Sequence, residues 1–87
     1  MPDMQEHERE IAAAFGARLK EFRESAGLTM AALGARVEPP MVAPVIARYE
    51  SGERVPSWTA VVRLSRALGK QPNDFLPALK RKKGAKQ

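Results

Sequence analysis

Apolar side chains recur every three or four positions through the first third of the chain, at Ile11, Phe15, Leu19, Phe22 and Ala26, with charged residues between them. That period predicts an amphipathic helix over residues 3–26, opened by a candidate capping box of Asp3 with Glu6 and ended at Gly27. Thr29 is a good N-cap for a second helix over 30–37, with Leu28 and Leu33 spaced as a hydrophobic staple. The run Glu38, Pro39, Pro40 breaks that helix, because a proline biases the residue before it away from helical backbone and lacks an amide of its own. A third helix starts near Ala43, since Pro44 is tolerated only in a first turn, and runs to about Ser51 before Gly52. Val45, Ile46 and Tyr49 supply its buried face, leaving Ala47, Arg48 and Ser51 outside. Ser57 caps a fourth helix over 58–68, whose inward stripe is Val61, Leu64, Ala67 and Leu68, with Arg63 and Arg66 outside and Gly69 closing it. One last short helical turn over 72–76 carries Phe75 and Leu76 into the core. The expectation is an all-α compact bundle of five short helices with no strand.

Eighty-seven residues, 44% apolar and 29% charged, fit one small globular domain and exclude both a two-domain enzyme and a disordered chain. The absence of cysteine removes disulfides, thiol nucleophiles and the usual cysteine-containing zinc sites, and a lone His7 makes no metal site by itself. No apolar run is long enough to span a membrane, and the acidic start differs from a secretory leader, so the chain is expected to be cytoplasmic. Enzymatic chemistry is not expected either: His7 has no visible acid–base partner and no glycine loop cradles a phosphate. No cofactor is called for.

Charge adds a partner. The net charge is +5, distributed unevenly. Asp3, Glu6, Glu8 and Glu10 outweigh Arg9 in segment 1–10, whereas Lys80, Arg81, Lys82, Lys83 and Lys86 make the end of the chain basic. The chain therefore divides into an acidic extension (1–10), a folded domain (11–77) and a basic tail (78–87) that either follows a polyanion or serves solubility. RNA is the weaker choice of polyanion, because aromatic residues that would stack on unpaired bases are not interleaved with the basic ones.

The order of residues from Phe15 to Leu76 sharpens this. Leu19, Arg23, Gly27-Leu28-Thr29, Leu33, Arg48-Tyr49-Glu50-Ser51-Gly52, Pro56-Ser57 and Leu64-Ser65-Arg66-Ala67-Leu68-Gly69 follow one another as in the Cro/repressor, or XRE, family, which this stretch resembles. The resemblance implies a lambda-repressor-like helix-turn-helix domain that binds double-stranded DNA as a homodimer, with the second helix across the phosphate backbone and the third in the major groove. Carried onto this sequence, it makes Ala43, Pro44, Ala47 and Arg48 the base-reading residues, Thr29, Met30, Ser51, Arg54 and Ser57 the phosphate contacts, and Arg23 with Glu50 a structural salt bridge.

This sequence departs from the family's pattern in two places. The stretch between Leu33 and Glu50 is longer than usual, the excess falling within 37–42, and the first turn of the reading helix is apolar where polar side chains are usual. Met30 likewise replaces a polar residue. Ala43 and Val42 can touch thymine methyl groups, but Met41 and Val42 can equally cover the core beneath a lengthened turn. Arg48 is a bidentate guanine reader or an exposed arginine that meets phosphate or a local acid. Thr29 and Ser57 are caps first, and capping is compatible with phosphate binding. Trp58 is expected as a core plug, with an exposed dimer contact as the other reading. A second function also fits: an antitoxin-like interaction module that receives a protein partner on Met41, Val42, Ala43, Pro44 and Val45.

Overall fold

The computed structural model describes residues 5–75. Four α-helices follow one another, α1 (Glu6–Ser25), α2 (Met30–Arg36), α3 (Ala43–Glu50) and α4 (Trp58–Leu68), and a 3-10 turn at Pro72–Phe75 completes the order. The fold is all-α, with no strand among the described residues. The predicted fifth helix is this single tight turn, closed by the Asp74 amide donating to the Gln71 carbonyl at 2.9 Å. Asp3, Leu76 and the basic segment 78–87 lie outside the described residues.

Local chemistry sets the element ends. The Gln5 amide donates to the Glu8 carboxylate at 2.9 Å, so α1 opens later than the Asp3–Glu6 pairing predicts, with Glu6 as its first residue. Gly27, at φ 72°, takes the left-handed turn that lets the Leu28 amide reach back to the Arg23 carbonyl. Ala26, expected on the buried stripe, is instead the exposed C-cap. The Thr29 and Ser57 hydroxyls each accept an amide three residues on, from Ala32 and Ala60, both at 3.0 Å. Those are the caps read from the sequence.

Phe15, Leu19, Leu33, Val37, Ile46, Leu64 and Phe75 are wholly buried, so every element including the 3-10 turn contributes to one core. Phe15 lies between Tyr49, edge-on at 5.8 Å, and Phe75 at 5.2 Å, and Phe22 meets Phe75 edge-on at 5.1 Å. Burying one such ring stabilises by about 1.5–3 kcal/mol, which explains how a four-residue turn stays attached to the bundle.

Trp58 corrects the core-plug expectation, being 65% exposed. It is the first residue of α4, and helical side chains lean toward the N-terminus, so its indole projects past the end of the stripe that Val61 and Leu64 bury. Trp58→Ala should therefore change folding stability by less than about 0.5 kcal/mol in a urea titration. The chain's one tryptophan should also emit as a water-exposed indole that soluble quenchers reach. A blue-shifted, protected emission would contradict this placement.

Candidate nucleic-acid interface

The order α2, turn, α3 is where a helix-turn-helix presents its reading helix, and this turn has unusual anchoring. It occupies residues 37–42, contains a cis Glu38–Pro39 peptide, and is fastened at both ends. Val37 is wholly buried, and the amides of Val37 and Met41 both donate to the Gly34 carbonyl, at 3.2 and 3.0 Å. Arg63 of α4 reaches across to the carbonyls of Glu38, at 3.3 Å, and Pro39. The turn is thus held through contacts that the local sequence pattern does not announce.

Two helical glycines fix how closely the elements approach. A methyl group at Gly34 would run into the Met41 carbonyl oxygen, and one at Gly16 would meet the Tyr49 carbonyl oxygen and lie 2.7 Å from that of Glu50. Gly16 therefore lets α1 sit against the end of α3, and Gly34 lets the turn lie on α2. Sequence reasoning missed both positions. Their signal was available, since a glycine inside a helix costs roughly 1 kcal/mol relative to alanine and invites a packing explanation.

The predicted bridge holds the other end of α3. Arg23 Nε and Nη2 donate to the two Glu50 carboxylate oxygens at 2.5 and 3.1 Å, and Nη1 donates to the Leu28 carbonyl at 2.8 Å. Both side chains are nearly buried, 11% and 5% exposed. The hydrogen bonds to Glu50, aided by the charges of Glu50 and Glu24 and opposed by burial, raise the Arg23 pKa above its ordinary value. The arginine therefore stays charged throughout the physiological range. One guanidinium thereby joins α1, the loop before α2 and the last residue of α3.

With α3 clamped at both ends, its outer face can be read residue by residue. Ile46 and Tyr49 face the core, while Pro44, Arg48 and Ser51 are exposed and Ala43 and Ala47 are half-buried. Of the apolar run, Met41 and Val45 pack against the core and Val42 stands 65% exposed. The outward surface of that run is therefore Val42 and Pro44, narrower than its sequence suggests.

The predicted phosphate contacts differ in what they retain. Thr29 and Ser57 use a lone pair for capping and keep a hydroxyl hydrogen to donate, and no intrahelical partner exists for the first amides of α2 and α4. Ser51 spends its hydroxyl hydrogen on the Arg48 carbonyl at 3.1 Å. Met30 packs against the core, and its thioether has no hydrogen for a phosphate. Arg54 lies exposed with its guanidinium 5.7 Å from the centre of the Tyr49 ring, a stacking contact that orders a long side chain beside α3.

Residues 14–76, most of the chain, match the family model described as "Helix-turn-helix domain". The chain belongs to that family. No curated protein and no solved structure matches it. The family match spans all of α2, the turn, α3 and α4. No helix among the described residues is long and apolar enough to cross a membrane.

Proposed function

We propose that this helix-turn-helix protein is a sequence-specific transcriptional regulator of the Cro/repressor, or XRE, type, which binds double-stranded DNA as a homodimer with α3 in the major groove. The observation that carries this reading is the outer face of α3. It presents Arg48 exposed and unpaired among the described residues, on a helix whose last residue is held by the nearly buried Arg23–Glu50 pair, and the capped starts of α2 and α4 retain donors for phosphates. Ala43, Pro44 and Ala47 offer only apolar surface, suited to thymine methyl groups, so hydrogen-bonded readout falls to Arg48 and further selectivity to DNA deformability. Exposed Trp58 supplies apolar surface suited to self-association.

Two substitutions test the division of labour. Arg48→Ala should weaken specific binding by about 1–3 kcal/mol and relax preference at one base pair per half-site, through loss of a bidentate guanine contact. Arg54→Ala should lower affinity on all sequences alike and flatten the salt dependence by about one unit per monomer. Equal losses on every sequence for Arg48→Ala would reduce that residue to a phosphate contact, and an unchanged salt slope would remove Arg54 from the interface.

A further inference from the structure

A second basic feature lies away from the reading helix. Arg36, at the last residue of α2, and Arg63 and Arg66, on α4, line one cleft of about 280 Å³ together with Glu38 and Ala67. None of the three arginines makes an ion pair among the described residues. Arg63 is fixed in the wall by its bonds to the Glu38 and Pro39 carbonyls, which use two of its five N–H donors and leave three. Arg36 and Arg66 are exposed and spend no side-chain donor on the described protein. Three guanidinium groups facing one space repel one another, and one carboxylate does not balance them. The turn supplies Glu38 and the carbonyls that orient Arg63.

We infer that this cleft is a binding site for a small phosphorylated anion. A carboxylate offers two oxygens and satisfies one arginine fork, whereas a phosphoryl group offers three outward oxygens, enough for several forks at once. The volume lies just below the roughly 300–1,000 Å³ of small-molecule pockets and suits one or two phosphoryl groups with a compact substituent. A DNA backbone is the less fitting source. The donors proposed for it stand at the start of α2 and the start of α4, whereas Arg36 ends α2 and Arg63 and Arg66 sit on later turns of α4. Glu38 works against the anion and limits its affinity. Because the wall of the cleft is the segment that leads into α3, occupancy would reach the start of the reading helix through the turn.

The test uses inorganic pyrophosphate titrated calorimetrically into the full-length chain at constant ionic strength, without DNA, so that its outcome is separate from that of DNA binding. Saturable binding is expected, weakened tenfold or more by Arg36→Gln with Arg66→Gln and tightened severalfold by Glu38→Gln. All three side chains are at the surface, and unchanged thermal melting confirms that the variants fold. Absence of binding overturns the proposal. So does binding that survives the double arginine substitution, which would place the anion on the basic segment 80–87 or elsewhere. A double variant that loses DNA affinity while pyrophosphate fails to bind the parent chain would assign the arginines to the DNA backbone instead.

Discussion

Arg23→Met should cost about 3–5 kcal/mol of folding stability, measured by urea denaturation, because it strands the Glu50 carboxylate at a site only 5% exposed and leaves the Leu28 carbonyl without its donor. A chain of this length has about 4–13 kcal/mol in all, so the substitution removes between about a quarter and the whole of it. Adding Glu50→Leu to Arg23→Met should recover much of the loss, since replacing both members of a buried pair by apolar groups is often neutral. The doubly substituted protein should then fold yet bind DNA poorly, because the bidentate pair that fixes the angle of the end of α3 against α1 is gone while only the apolar contacts of Phe15 and Gly16 remain. A loss below about 1 kcal/mol for Arg23→Met would show that the pair behaves as a solvated surface bridge.

Gly34→Ala should destabilise by about 1–3 kcal/mol although alanine is the better helix former by roughly 1 kcal/mol. The sign follows from what the new methyl group meets. It is the Met41 carbonyl oxygen, part of a backbone segment pinned by two hydrogen bonds to the Gly34 carbonyl and by Arg63, so the turn cannot yield as a flexible side chain would. Relief requires moving the residues that start α3, and DNA affinity should fall further than the folding loss explains. Stabilisation by Gly34→Ala, with DNA binding intact, would mean that the turn shifts freely and that its anchoring is unimportant to the site.

Most of the fold is legible in the sequence because its boundaries are set by local chemistry. Thr29, Ser57, Gly27 and Gly69 act within a few residues of themselves, and the stripes of Phe15 with Leu19 and Val61 with Leu64 follow helical spacing. The less legible features depend on where one element ends relative to another. Trp58 continues the spacing of Val61 and Leu64, yet it lies one turn beyond the surface that could cover it. Periodicity gives direction around a helix and says nothing of how far the neighbouring core extends. Arg23 presents the converse: it continues the Phe15, Leu19 column as a charged residue, and Glu50 on α3 together with the Leu28 carbonyl makes that tolerable. Within the candidate site, the outward residues of α3 follow from helical phase. The arginine clamp on the turn joins Arg63 to residues more than twenty positions earlier, and no local pattern encodes it.

Selection of bound sequences from random double-stranded DNA tests the central claim most directly. The expected result is enrichment of an inverted repeat whose half-sites lie about one helical turn, roughly 34 Å, apart, with a guanine in each half-site whose preference disappears in Arg48→Ala. Folded protein that enriches no sequence over the starting pool, at a salt concentration where it still binds DNA, would contradict it.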